Sequence, residues 1–109
     1  MEMPGHKDMM VPFLTYLSDG KARRVRDVKS AIASIMALDA ELLSSRMKDG
    51  RNWFANRVEY ANARMKIAGL VQSEAYGYVK ITPFGLQELN NEPDKIPRLT
   101  EKKYYRFRT

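Results

Sequence analysis

Residues 52–85 read NWFANRVEYANARMKIAGLVQSEAYGYVKITPFG, and the fold follows from how this stretch divides. At 100° per residue, Phe54, Val58, Ala61, Met65 and Ala68 fall on one arc of a helix, giving the segment one side to bury and one to leave in water. Gly69 ends the helix, because glycine accepts the left-handed backbone that a helix C-terminus favours. Strand-forming residues follow. Leu70 to Ser73 and Tyr78 to Thr82 read as the arms of a hairpin, joined by Glu74-Ala75-Tyr76-Gly77 with glycine at the reversal. Thr82-Pro83 is then an N-cap and first residue of a closing helix that runs through Phe84, Leu86 and Leu89. Helix, hairpin, helix is the second half of a winged helix-turn-helix. The expected class is mainly α with a small β-hairpin (α+β), with about five helices and a two- or three-stranded wing. In that architecture the long helix is offered to a DNA groove.

Upstream, Met9 to Leu17 places Met10, Phe13, Leu14 and Leu17 at helical spacing. Pro12 lies inside it, so the helix either starts near Val11, with Pro12 in its first turn, or is kinked. After the turn Ser18-Asp19-Gly20, Lys21 to Arg24 is a basic connection and Val25 a one- or two-residue strand pairing with the hairpin. A second helix is expected from Arg26 to Ala37, with Val28, Ile32, Ile35 and Met36 on one face and Asp27 at its positive end. Asp39 caps a short third helix, Ala40 to Arg46, with Leu42 and Leu43 inward. Residues 47–51 form a loop. Beyond the closing helix, residues 90–97 carry two prolines and no period, which places the boundary of the compact domain at 1–90 and leaves 91–109 as a basic aromatic tail or linker.

A chain of 109 residues is enough for one modest core. With no cysteine it has neither disulfides nor thiolate metal sites, and no apolar run approaches the roughly 18 residues of a membrane span. The N-terminus MEMPGHKD has no signal-peptide core, so the expected location is the cytoplasm and no membrane partner is expected. The net charge of +6 favours polyanions, but residues 98–109 alone supply +4 of it. A basic surface on the rest must come from geometry.

The succession VPFLTYLSDG, FANRVEYANARMKIAGLV and YGYVKITPFG resembles the N-terminal domain of Mrr-type restriction proteins, over about residues 8–90. The resemblance rests on N-R-V, the A-G-L helix stop, the wing and the I-T-x-x-G start of the closing helix. It implies a winged helix that binds DNA and is usually attached to a separate nuclease domain acting on modified DNA. In that family an arginine commonly precedes the wing glycine, whereas Tyr76 stands there in this chain. The nuclease domain has no counterpart here, so the resemblance supports binding and not cutting.

Asn52, Asn56, Glu59, Ala63 and Lys66 lie opposite the buried arc, and short polar side chains beside an alanine leave room to approach base edges. The expected DNA-binding residues are Arg51, Asn52, Asn56 and Arg57 in the groove, with Lys66, Tyr76 and Lys80 flanking it. Arg57 and Arg64, at the border of the arc, are placed to reach backward to phosphates, and Arg57 has a second reading as a partner of carbonyls or acids on a neighbouring helix. Trp53, Tyr60 and Ile67, spaced by seven, are expected to be buried in packing or at a domain interface. The tail RLTEKKYYRFRT mixes cations and aromatics in a way that suits phosphates and unpaired bases, yet folding back on the domain or starting a linker is the preferred reading.

Pro93-Asp94 followed by Glu101-Lys102-Lys103 has the residue types of a magnesium nuclease, but that chemistry needs carboxylates on adjacent strands of a central sheet. A chance match is the reading, and no catalytic residue, metal or cofactor is expected. His6, the lone histidine, heads no cluster. The expected function is sequence- or modification-directed binding of double-stranded DNA, as the targeting module of a restriction or defence system. A separate nuclease or other protein subunit and a homodimer are both compatible with it. The rival readings are a small dimeric transcriptional regulator and a winged-helix protein-docking module.

Overall fold

A computed structural model describes residues 2–101 of the chain. A 3-10 turn, His6–Met9, leads into α1 (Met10–Tyr16), β1 (Arg23–Arg24), α2 (Val25–Ile35), α3 (Ala40–Ser44) and α4 (Trp53–Ile67). The strands β2 (Val71–Ser73) and β3 (Tyr78–Ile81), the helix α5 (Pro83–Asn91), a 3-10 turn Pro93–Lys95 and α6 (Ile96–Leu99) complete it. The strands form one antiparallel sheet in the order β1-β3-β2. The fold is thus α+β and winged-helix-like.

Pro12 sits in the first turn of α1, where a missing N–H breaks no intrahelical bond. Phe13, Leu14 and Leu17 face Val28 and Ile32 of α2 and the predicted arc of α4, all buried. Each such side chain contributes about 1.5–3 kcal/mol by leaving water. Val71, Val79 and Ile81 close the core from the sheet. Because strand side chains alternate, Gln72 paired with Lys80 and Arg24 paired with Tyr78 are left on the other face.

The ends of α4 are held by local chemistry. Asn52 accepts the Ala55 N–H through Oδ1 at 2.8 Å, and its Nδ2 donates to the Leu43 carbonyl at 2.8 Å. At the other end Gly69 takes φ 79°, and the Leu70 and Gly69 amides donate to the carbonyls of Met65 and Lys66 at 2.9 and 3.1 Å. This is a Schellman stop. Thr82 caps α5 as expected, accepting the Gly85 N–H at 2.9 Å while its hydroxyl donates to the Gly69 carbonyl at 2.6 Å.

Several expectations need correction. The third strand is Arg23–Arg24, and Val25 instead opens α2, its N–H donating to the Gly77 carbonyl at 2.8 Å. The helix α2 stops at Ile35, with Ala37 left-handed at φ 52°, and Ile35, expected inward, is 52% exposed at the helix end. The helix α3 ends at Ser44, and Arg46 bridges to Asn52 in extended conformation. The packed core does not end at residue 90: Ile96, Leu99 and Thr100 are buried, which makes six α-helices among the described residues. Two apolar residues in a four-residue helix are too few to show a period, and Pro93 and Pro97 occupy first-turn positions that tolerate proline. The aromatic residues Tyr104, Tyr105 and Phe107 of the expected tail lie outside the described residues.

Candidate nucleic-acid interface

Burying Phe54, Val58, Ala61 and Met65 turns the opposite flank of α4 to solvent. Asn56 is half-buried, and Glu59, Ala63 and Lys66 are exposed. Asn56 makes no side-chain hydrogen bond among the described residues, so both ends of its amide are available to a ligand. Lys66 likewise has no ion pair there. Asn52 differs, since capping α4 and holding Leu43 uses its amide. An asparagine directly before the first residue of a helix is itself an N-cap signal. Arg51 is exposed, with Nε and Nη2 on Asp49 Oδ2 at 2.8 and 2.7 Å. That side-chain bond, more than the Arg51 backbone N–H, holds the Asp49 carboxyl below its usual range. Arg51, Asn52, Ala55, Asn56 and Glu59 line a shallow depression of about 280 Å³.

A second depression, of about 430 Å³, lies beside the tip of the wing between Arg24, Arg26 and Lys29 on one side and Tyr76, Gly77 and Tyr78 on the other. Arg24 donates from Nε to the Tyr78 hydroxyl at 2.8 Å with its guanidinium 5.7 Å from the ring centre. Lys29 reaches Glu59 Oε2 at 2.6 Å. That ion pair joins a residue of each depression, so the depression beside the wing tip and the N-terminal half of α4 form one continuous face. Arg24, Arg26 and Lys29 were not among the residues expected from sequence. The basic run 21–24 was the available signal, but it shows no period that would aim it at the wing.

The other expected residues are spread more widely. Tyr76 is fully exposed at the wing tip. Lys80 pairs with Glu74 at 3.6 Å, and Gln72 also donates to Glu74 at 3.1 Å, so this side of the wing is nearly neutral. Lys66 lies about 15 Å along the helix axis from Asn56 and lines neither depression. The guanidinium of Arg57 stands 5.8 Å from the Trp53 ring centre and faces a different hollow, with His6 and Tyr60. Arg64, expected from sequence to reach phosphates, instead donates to the Thr100 carbonyl at 3.0 Å and lies over Tyr60.

A family model described as the Mrr N-terminal domain matches residues 6–91, a span that holds α4, the wing and both depressions. The chain belongs to the Mrr N-terminal domain family. The type IV methyl-directed restriction enzyme EcoKMrr of Escherichia coli is 32% identical over 99 residues, covering 88% of this chain and 32% of that enzyme. The chain therefore spans about a third of the length of this curated relative. No solved structure matches.

Within this Mrr N-terminal domain, the stripe of Trp53, Tyr60 and Ile67, expected in the core or at a domain interface, is not part of the core. Tyr60 is 47% and Ile67 57% exposed, while Trp53 is half-buried. His6 packs edge-on against Tyr60, with ring centres 4.6 Å apart. Burial first, and then the charges of Lys7, Arg64 and Arg57, hold the His6 pKa below its ordinary 6.5. No group of three or more His, Asp or Glu residues among the described residues could hold a metal ion. Asp94 lies in the 3-10 turn and Glu101 pairs with Lys7 at 3.4 Å. No helix there is long and apolar enough to cross a membrane.

Proposed function

We propose that this Mrr N-terminal domain binds double-stranded DNA, with α4 in the major groove and the wing against the backbone, as the targeting module of a cytoplasmic restriction or defence system without catalysis of its own. The observation that carries the reading is the open polar flank of α4, joined through Lys29–Glu59 to the cationic depression beside the wing tip. In this reading Asn56 reads a base edge, for which a free carboxamide is suited, and Ala63 leaves room for close approach. Arg51, Arg57 and Lys66 meet phosphates, Tyr76 and Lys80 flank them, and Asn52 positions the helix. Methyl-directed action, named for the E. coli relative, makes modified bases the first ligands to try.

The test is fluorescence anisotropy of labelled duplexes, plain and methylated, over a salt series. Affinity is expected to fall by about 0.9 logarithmic units per tenfold salt for each phosphate neutralised. No binding to any duplex at low salt rejects the reading.

One observation favours a second reading. The exposed Tyr60 and Ile67 form an apolar edge suited to a protein subunit, such as a nuclease, or to a second copy of the chain. A protein that co-purifies while DNA affinity stays undetectable would favour docking. Stable dimers that select inverted repeats would favour the regulator.

A further inference from the structure

Tyr76 is fully exposed and makes no hydrogen bond or ring contact among the described residues, so its ring does nothing for the stability of the fold. Its backbone is nevertheless held firmly. The turn closes through the Tyr78 N–H on the Ala75 carbonyl at 2.9 Å, with Gly77 at φ 78°. One residue from Tyr76, the Gly77 carbonyl accepts the Val25 N–H at 2.8 Å and ties the tip to the start of α2. The ring therefore projects from a fixed point. Behind it stand Arg24, Arg26 and Lys29, in the same depression as Tyr78, whose hydroxyl is held by Arg24. The nearby acids are largely answered: Glu59 by Lys29, and Glu74 by Gln72 and Lys80, leaving Asp27 exposed in the first turn of α2.

An aromatic side chain on a turn whose backbone is pinned, in front of two arginines without ion-pair partners among the described residues, matches a duplex at a point where its bases are parted. We infer that Tyr76 is a wedge that enters an unstacked base step, while Arg24 and Arg26 hold the phosphates beside it. The inference rests on the duplex-DNA reading and adds the class of site preferred: steps that unstack cheaply, such as pyrimidine–purine steps, mismatches and single-base bulges. Tyrosine does here what an arginine at the tip would not. Arginine reads groove width and potential, whereas an uncharged ring gains by stacking on exposed base faces.

The test uses Trp53→Phe/Tyr76→Trp, which moves the chain's single tryptophan to the wing tip, with Trp53→Phe alone as the binding reference. Saturation with duplex, followed independently by anisotropy of labelled DNA, is expected to quench the tip emission and shield it from acrylamide. The unaltered protein is expected to bind a one-mismatch duplex about tenfold tighter than the matched one, because part of the unstacking cost is already met. Tyr76→Ala removes that ratio and Tyr76→Phe retains it. Unchanged tip emission at saturation, or a mismatch ratio that survives Tyr76→Ala, overturns the wedge and leaves duplex binding standing. Absence of any anisotropy change overturns both.

Discussion

The carbonyl oxygen of Leu70 occupies the space that a side chain on residue 85 would need: a Cβ built on Gly85 would lie 2.1 Å from it. The same oxygen accepts the Thr82 N–H at 3.1 Å. The start of α5 is thus pressed onto the chain where α4 gives way to the wing, with the Thr82 hydroxyl bonded to Gly69 alongside. This crossing sets the angle between α4 and the hairpin, and so the shape of the face they present. It also gives a physical reason for the I-T-x-x-G pattern, in which Thr supplies the cap and the bond to Gly69 and Gly permits the approach.

Gly85→Ala sets two effects against each other. Alanine in a helix gains roughly 0.5–1 kcal/mol over glycine. A contact of 2.1 Å with a backbone atom cannot be relieved by rotating a side chain, and overpacking costs about 1–3 kcal/mol or more. The variant is expected to be less stable by about 1–2 kcal/mol net and so to unfold at lower urea concentration. An unchanged midpoint would show that α5 can back away from Leu70.

Ile96→Ala is expected to cost about 2–5 kcal/mol, because Ile96 is fully buried although it lies beyond the expected domain boundary. Ile35→Ala, at a site 52% exposed, should change stability by no more than about 0.5 kcal/mol. Equal effects in urea denaturation would contradict both the exposure of Ile35 and the packing of α6.

Acidification should weaken the fold through His6. Its folded pKa lies below the ordinary 6.5, so between those two values the unfolded chain binds more protons. Stability is therefore full above about pH 6.5 and declines as pH falls through the lowered value. His6→Gln is expected to flatten this part of the profile, measured by denaturant midpoints from pH 7.5 to 5. Asp49, whose carboxyl is held below 3.8, acts only in more acid solution and does not overlap this window. A profile unchanged by His6→Gln would assign the decline to other groups.

On DNA, Lys66→Ala and Asn56→Ala should separate charge from reading. Loss of the Lys66 ammonium is expected to weaken all duplexes alike and reduce the salt slope by about 1. Loss of the Asn56 carboxamide is expected to change the ranking of sequences or modified bases at nearly constant slope, by about 1–3 kcal/mol at the contacted pair. Uniform weakening in both variants would remove Asn56 from base reading.

The elements legible in the chain were those whose signals lie within about one helical turn. The buried arc from Phe54 to Ala68, the Gly69 stop, the Thr82 and Asp39 caps and the hairpin around Gly77 each depend on residues a few positions apart, where periodicity and turn chemistry act directly. Asparagine spoke less clearly: Asn52 suits a groove as well as a cap, and only the bond to Leu43, nine residues earlier, settled its use within the fold. By itself, then, the sequence determined a long helix followed by a wing and a capped closing helix, together with the polar flank of that helix. Tertiary structure alone decided that Arg24, Arg26 and Lys29 gather beneath Tyr76, that Arg64 reaches Thr100 across 36 residues, and that Ile96 completes the core. Such meetings depend on how whole elements pack, and a side chain's distance along the chain carries no trace of which distant neighbour that packing will bring to it.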